Sequence, residues 1–218
     1  MIELVIGGSG SGKSAFAENE ACKLSENEKR FYIATMQVFD NEGEKKIQKH
    51  RKMREDKKFT TIEVPMDIDN GFNIIKKSCE FLKDKSVKKK FGFFHKKKKK
   101  DVEEERLKCT SLIECVSNLL ANEMFDPEHG WIDVEFDENN IENLANKIFE
   151  EIKYIGDKIN NCVIVTNNIF LEGDIYDAMT ENYINVLACV NSKLANYADK
   201  VVEVYLGIPI VYKNEGVN

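Results

Sequence analysis

One short stretch near the start constrains what this chain can fold into more than any other feature. Residues 7–14 read GGSGSGKS, which fits the pattern G-x-x-x-x-G-K-S/T. The pattern follows an apolar run at 2–6 that predicts a buried strand, and it precedes residues 13–24, which predict a helix. A strand, a glycine-rich loop and a helix in this order predict a P-loop, in which backbone N–H groups and the helix N-terminus hold phosphate oxygens.

The residue types of this loop fit phosphate chemistry. Lys13 is expected to reach the β- and γ-phosphates of a nucleotide, and the Ser14 hydroxyl is expected to ligate Mg²⁺. The pattern predicts a bound nucleotide but does not specify a reaction. The candidate nucleotide-binding residues of the loop are Gly7, Gly8, Ser9, Gly10, Ser11, Gly12, Lys13 and Ser14.

Acidic and amide side chains follow two other predicted strands. Glu114 ends the apolar run at 111–113 and is the best candidate for the carboxylate that helps to hold the metal. A polar strand end without a ligand is the alternative interpretation of Glu114. Asn167 and Asn168 follow the run at 163–166. Ligands of open α/β sheets bind at the carboxyl ends of the strands, so these side chains are expected to face the nucleotide.

The whole chain alternates between strand and helix patterns. Further strands are predicted at 31–34, 59–64, 112–115, 163–166, 201–205 and 209–212, and further helices at 41–56, 68–82, 116–125, 138–159 and 180–198. This order predicts an α/β protein with a P-loop NTPase-like three-layer fold and a mostly parallel sheet. The length of 218 residues fits one catalytic domain over 1–218.

Charge is distributed unevenly along the chain. The net charge of -6 argues against general nucleic-acid binding, so no nucleic-acid partner is expected. Residues 83–100 nevertheless hold ten lysines and one acid. We predict a lysine-rich insertion at about 84–106 that forms a solvated, mobile loop, because blocks of like charge repel and cannot pack. Docking of an anionic partner is the alternative, since Phe91, Phe93 and Phe94 lie among the lysines and could stack on bases.

The location of the protein is predicted from what the sequence lacks. No apolar run approaches the roughly 18–20 residues that span a bilayer, so no membrane span is expected. The first residues do not resemble a signal peptide, and none of the six cysteines forms a C-x-x-C pair. We therefore expect a cytoplasmic protein whose cysteines are small buried hydrophobic residues.

His50 is the histidine with the most informative surroundings. On the helix predicted over 41–56, Lys46 and Arg54 lie four residues before and after it, on the same face. Nearby positive charge disfavours the imidazolium form, so His50 is expected to be neutral and nucleophilic. The same cations could bind a triphosphate and stabilise a pyrophosphate leaving group. Taken alone, His50 could also be a solvated surface residue.

Several segments in order resemble the bifunctional adenosylcobinamide kinase / adenosylcobinamide-phosphate guanylyltransferase family of cobalamin biosynthesis. The likeness covers nearly the whole chain apart from the lysine-rich segment. Beside the phosphate loop, the matching segments are YIATM at 32–36, Asp40 with Glu42, IQKHRKMR at 47–54, TIE at 61–63, LIECVSNLL at 112–120, VTN at 165–167, Asn191, LANYADKV at 194–201 and GIP at 207–209.

The resemblance implies two activities. One phosphorylates the aminopropanol hydroxyl of adenosylcobinamide with ATP or GTP, and the other transfers GMP from GTP to that phosphate through a covalent GMP–histidine. The resemblance makes His50 the nucleophile, with Lys13 as the second catalytic residue. The Mg²⁺ expected at the phosphate loop is assigned to Ser14 and Glu114. The resemblance implies a homo-oligomer, with a symmetric trimer as the family's arrangement. Beyond the loop, the implied nucleotide contacts are Ala34, Thr35, Met36, Arg51, Lys52, Met53, Arg54, Glu63 and Glu114.

The chain departs from the family pattern at three places. Asn168 stands where the family usually has Glu, which predicts weaker metal binding or a weaker kinase step. Ala188 replaces a usual glycine, and the span from Glu63 to Glu114 is longer than usual. Two other functions stay open on sequence alone: a P-loop small-molecule kinase or ATPase of another pathway, and a non-enzymatic nucleotide-binding interaction protein.

Overall fold

The structure, a computed structural model, describes residues 1–37, 48, 52, 54–87, 106–128, 130–131, 134, 136–170 and 176–215. The strands are β1 (Ile2–Gly7), β2 (Lys29–Ala34), β3 (Phe59–Glu63), β4 (Leu107–Glu114), β5 (Ile159–Asn167), β6 (Lys200–Tyr205) and β7 (Ile208–Asn214). The helices are α1 (Lys13–Ser25), α2 (Asn70–Val87), α3 (Val116–Phe125), α4 (Glu138–Lys158) and α5 (Ala178–Tyr197), with a short 3-10 turn at Glu55–Lys57.

The seven strands of the described ranges form one sheet in the order β3-β2-β4-β5-β1-β6-β7. Every neighbouring pair is parallel except β6 and β7, which form an antiparallel hairpin. The central strands are continuous apolar runs because helices cover both faces of a parallel sheet. The prediction of an α/β fold with a mostly parallel sheet is therefore confirmed.

Helices on the two faces complete a three-layer arrangement. Helix α1 packs on one face, where Ala17 and Ala21 join a cluster with Val5, Leu112 and Val165 from the sheet. Helices α2 to α5 contribute to the larger cluster on the other face. The small alanines of α1 allow the helix to lie close to the strands, which keeps the start of α1 near the end of β1.

The register brings the carboxyl ends of the strands into one row. Ala34 on β2 lies opposite Glu63 of β3 on one side and opposite Glu114 of β4 on the other. Gly7 at the end of β1 lies opposite Asn167 at the end of β5. Because parallel strands end at the same edge, residues far apart in the sequence meet beside the phosphate loop.

Two predicted boundaries of the lysine-rich insertion can be compared with the structure. Helix α2 continues to Val87, so the prediction of a loop was wrong for residues 84–87. These residues can remain helical because lysine is a good helix former and because the block of adjacent lysines begins only at residue 88. Strand β4 starts at Leu107, five residues earlier than predicted. Residues 88–105 lie outside the described part of the chain, so both the solvated insertion and the single catalytic domain stay predictions.

The structure also bears on the helix predicted at 41–56, on the cysteines and on membrane spans. Of the described residues within the helix predicted at 41–56, residues 48, 52 and 54 are α-helical, and 55–56 belong to the 3-10 turn. All six cysteines lie in the described part of the chain and none forms a disulfide; Cys109, Cys115 and Cys162 are buried, as predicted, and the other three are half-buried. Over the ranges that the structure describes, no helix has the length and apolar character needed to cross a bilayer. The cytoplasmic location stays a prediction.

Candidate nucleotide-binding site

The phosphate loop has the backbone that its glycines permit. Gly10 and Gly12 have φ angles of 69° and 90°, in the left-handed region that glycine adopts without strain. Gly12 caps α1, and the N–H of Phe16 donates to its carbonyl at 3.1 Å. The predicted order of strand, loop and helix is therefore present, with the N-terminus of α1 at the loop.

Two hydrogen bonds stabilise the phosphate loop, one within the loop and one from the β6–β7 turn. Lys13 Nζ donates to the Gly8 carbonyl at 3.1 Å, so the cation lies against the loop. The Gly207 N–H, in the turn between β6 and β7, donates to the Ser11 carbonyl at 2.8 Å. Sequence reasoning did not identify the contact of the hairpin turn with the loop, because nothing local in either segment signals it.

The predicted metal ligands lie in contact. Ser14 Oγ donates to Glu114 Oε1 at 2.7 Å, although the two residues are 100 positions apart. Glu114 Oε2 is buried and has no hydrogen-bond partner within the described ranges. Burial raises the pKa of Glu114 to about 7, while the hydrogen bond from Ser14 and the charges of Lys13 and Arg54 act in the opposite direction. The Ser14 hydroxyl and the Glu114 carboxylate are hard oxygen ligands that fit Mg²⁺.

Thr35 connects the end of β2 to the end of β4. Its side chain is fully buried, and its hydroxyl donates to the Cys115 carbonyl and accepts from the Cys115 N–H. The neighbouring candidates Ala34 and Met36 are half-buried, and Glu63 is exposed at the end of β3. Their proposed nucleotide contacts stay predictions.

The cationic segment is described only in part. The Arg54 guanidinium carbon lies 3.5 Å from the centroid of the Tyr32 ring, and Arg54 is only 6% exposed. Lys52 is exposed. His50, Arg51 and Met53 lie outside the described residues, so their predicted roles are untested. The stacking on Tyr32 was not anticipated.

The end of β5 carries an amide network. Asn167 Nδ2 donates to Ser117 Oγ at 2.7 Å, and Asn191 Nδ2 donates to the Asn167 carbonyl at 3.2 Å. The Asn168 N–H donates to the Gly7 carbonyl at 3.1 Å, and its side chain donates to Glu203 Oε1 at 2.7 Å. Both asparagines therefore border the phosphate loop, while their expected position facing the nucleotide stays a prediction. Glu203 of β6 is a carboxylate that the sequence patterns did not indicate.

A second carboxylate cluster lies next to the loop after β3. Asp67, Glu123 and Glu151 surround Lys147, whose Nζ lies 3.0 Å from Asp67 and 3.2 Å from Glu151. Burial raises the pKa of Glu151 to about 7, with the charge of Lys147 opposing the shift. The Lys147 ammonium lies among the three carboxylates, where a metal ion would otherwise bind. The cluster therefore links the loop after β3 to helices α3 and α4 through ion pairs.

The fold and the loop geometry define the class of protein: an α/β P-loop protein built around a phosphate-binding loop and an acidic strand end. A family model described as cobinamide kinase / cobinamide phosphate guanyltransferase matches residues 3–87 and 88–212. The chain belongs to this family, as the sequence resemblance predicted.

Other comparisons add little beyond the family. A comparison with curated proteins found no match. A solved structure described as an ATPase domain is similar over 100% of this chain and 78% of its own, with 12% identity and a TM-score of 0.47. Similarity at this level carries no inference about function.

Proposed function

We propose that this chain phosphorylates adenosylcobinamide with ATP or GTP and transfers GMP from GTP to the resulting phosphate. The observation that carries the proposal is the Ser14–Glu114 contact of 2.7 Å beside the phosphate loop, together with the buried second oxygen of Glu114, which has no hydrogen-bond partner among the described residues. Mg²⁺ bound with the nucleotide would provide that oxygen with a partner and reduce the charge on the phosphates. Family membership supplies the corrinoid as the substrate class.

In the guanylyl transfer, His50 is the proposed nucleophile. An imidazole nitrogen attacks the α-phosphorus of GTP, an N–P bond forms, and the P–O bond to the β-phosphate breaks to release pyrophosphate. A phosphate oxygen of the corrinoid then attacks the same phosphorus, and the N–P bond breaks. Lys13, Arg51 and Arg54 are proposed to stabilise the negative charge that develops on the pyrophosphate.

In the kinase reaction, the aminopropanol hydroxyl attacks the γ-phosphorus and the bond to the β-phosphate oxygen breaks. Lys13 is proposed to stabilise the charge on the leaving nucleoside diphosphate. Asn168 provides an amide at a position where the family usually has a carboxylate, and this amide is already paired with Glu203. We therefore expect the kinase reaction to be the weaker of the two.

Labelling with GTP that carries ³²P at the α-phosphate tests the proposal. We expect a covalent, acid-labile adduct that forms on the unmodified chain and is lost in His50→Ala. His129→Ala is the matched control, because His129 stands in a Pro-Glu-His-Gly segment of the sequence with no lysine or arginine near it. Turnover of γ-label without an α-labelled adduct would indicate a P-loop kinase or ATPase of another pathway. Binding without turnover of any corrinoid or nucleotide would indicate a nucleotide-binding interaction protein.

A second experiment tests the phosphate loop separately. Lys13→Ala should weaken both the α-label adduct and the γ-phosphate transfer, because both reactions use the same loop in the proposal. Lys23→Ala is the control, since Lys23 lies on the same helix and pairs with Glu20, away from the loop. Unchanged GTP turnover in Lys13→Ala would contradict the assignment.

We further propose that the protein is a homo-oligomer that uses the β6–β7 hairpin. Strand β7 is an edge strand, and exposed apolar edges are typical of surfaces covered by another chain. Val211→Lys should reduce the molecular mass measured by light scattering, whereas Ile74→Lys on the exposed side of α2 should not. An unchanged mass in Val211→Lys would contradict this interface. The exposed hydrophobic residues of the hairpin are Tyr205, Leu206, Ile208, Ile210, Val211 and Tyr212.

A further inference from the structure

Thr35 is attached to the end of β4 by three hydrogen bonds. The Cys115 N–H donates to Thr35 Oγ1 at 2.7 Å, and the Thr35 hydroxyl donates to the Cys115 carbonyl at 2.8 Å. The Thr35 N–H donates to the Glu114 carbonyl at 3.1 Å. The Thr35 hydroxyl thus binds both the N–H and the carbonyl of Cys115. Its hydrogen is donated to the Cys115 carbonyl.

These bonds lie where the chain leaves the sheet. Glu114 is the last residue of β4, and α3 begins at Val116. The direction of the Glu114 side chain depends on the backbone conformation of Glu114. That conformation is restricted when the next residue, Cys115, is held in place. Fixing the polar groups of Cys115 therefore limits where the Glu114 carboxylate can point, and metal ligands must be held within about 0.5 Å of their working geometry.

Helix α3 holds Thr35 from the other side. Asn122 Nδ2 donates to the Thr35 carbonyl at 2.7 Å and to the Pro65 carbonyl at 2.8 Å. One amide group thus links the segments that follow β2 and β3 to the helix that follows Glu114. Thr35 is consequently fixed on both of its sides, which makes it a rigid support for the residues bonded to its hydroxyl.

We propose that Thr35 is a positioning residue that holds the Glu114–Cys115 segment so that the Glu114 carboxylate faces Ser14 and the Mg²⁺ of a bound nucleotide. The inference rests on the metal site in the proposed function. Thr35 acts through Glu114, because its side chain is fully buried and its hydroxyl is engaged by Cys115. The family resemblance implied a direct nucleotide contact for this residue; the proposal gives its side chain a different role.

The test uses the full chain and a nearly isosteric change, Thr35→Val, which replaces the hydroxyl by a methyl group. Binding of Mn²⁺ in the presence of GTP is measured by electron paramagnetic resonance. We expect the Mn²⁺ affinity to fall about 10- to 100-fold, the range typical when an outer partner of a metal ligand is removed. Thr35→Ser retains the hydroxyl and should bind Mn²⁺ as the unmodified chain does. If Thr35→Val does not fold, Thr35→Ala removes the same hydroxyl without adding bulk.

Turnover measurements separate positioning from a general loss of stability. In Thr35→Val the Mg²⁺ concentration for half-maximal GTP turnover should rise, while kcat at saturating Mg²⁺ changes less. Thr110→Val is the matched control: Thr110 is fully buried on β4, the strand that ends at Glu114, and its hydroxyl accepts from Asn161 Nδ2 at 3.2 Å. Thr110→Val should lower thermal stability and leave the Mg²⁺ requirement unchanged.

Glu114→Gln distinguishes failure of this inference from failure of the proposed metal site. Loss of Mn²⁺ binding in Glu114→Gln, with normal binding in Thr35→Val, would overturn the positioning role and leave the metal site standing. Equal effects of Thr35→Val and Thr110→Val would also overturn it. Normal Mn²⁺ binding in Glu114→Gln would remove the metal site and the inference together.

Discussion

Replacing Gly7 by alanine should disrupt the phosphate loop, because the glycine lies against the neighbouring strand. A Cβ atom at Gly7 would lie 2.7 Å from the Val204 carbonyl oxygen and 2.5 Å from Ser11 Oγ. The Ser11 side chain can rotate, but the Val204 carbonyl belongs to the backbone of β6. Since ordinary van der Waals contact begins near 3.4 Å, the loop or β6 must move by about 0.7 Å.

The cost follows from this displacement. Overpacking a tightly packed site costs about 1–3 kcal/mol of unfolding free energy. For a chain of this length, each kcal/mol lowers the melting temperature by about 2–4 °C, so Gly7→Ala should lower it by about 2–12 °C. The moved segment also carries the N–H groups that would bind phosphate, so GTP with Mg²⁺ should stabilise the variant less than the unmodified chain.

Gly8→Ala is the control within the same motif. A Cβ at Gly8 would meet only the Asn168 carbonyl oxygen, at 4.0 Å. Its unfolding free energy should stay within about 0.5 kcal/mol of the unmodified value. Thermal unfolding with and without GTP measures both effects. If Gly7→Ala unfolds at the unmodified temperature and keeps its stabilisation by GTP, or if Gly8→Ala is equally damaged, the argument from packing is wrong.

Two further predictions concern charged groups. Burial raises the pKa of the Glu151 carboxyl from 4.5 to about 7. Between these pH values the folded state holds a proton that the unfolded state has lost. The contribution of this carboxyl to the free energy of unfolding therefore falls as the pH rises from about 4.5 to 7. Glu151→Gln should therefore be more stable than the unmodified chain in urea at pH 8 and similar to it at pH 5. Tyr32→Leu removes the ring that lies under Arg54. It should lower the free energy of unfolding by about 1–2 kcal/mol beyond the loss of packing, and it should weaken GTP binding. Tyr32→Phe keeps the ring and should bind GTP normally.

Each of these predictions has a result that contradicts it. Equal pH profiles for Glu151→Gln and the unmodified chain would mean that the carboxyl keeps an ordinary pKa beside Lys147. Equal GTP affinities for Tyr32→Leu and Tyr32→Phe, measured by calorimetry, would mean that the ring does not hold Arg54 for the nucleotide.

The local patterns that the sequence contains were sufficient for several features. The glycines and Lys13 predicted the phosphate loop, and alternating strand and helix patterns predicted a mostly parallel sheet. These features depend on residues close together in the chain, because a left-handed φ, a helix start or an apolar run is decided within a few positions. The boundaries of α2 and β4 were less well predicted, since charged residues near the lysine-rich segment tolerate helix and strand.

The contacts that make the site depend on the order of the strands, which no local pattern specifies. Ser14 meets Glu114 across 100 positions, and Thr35 meets Cys115 across 80, because β2, β4, β5 and β1 lie side by side in register. The sequence by itself therefore determined that a phosphate loop exists and which acid was its best partner. Only the tertiary structure decided that this acid is buried, that one of its oxygens has no partner among the described residues, and that Thr35 is bonded to the residue after it, because these features depend on how distant strands pack together.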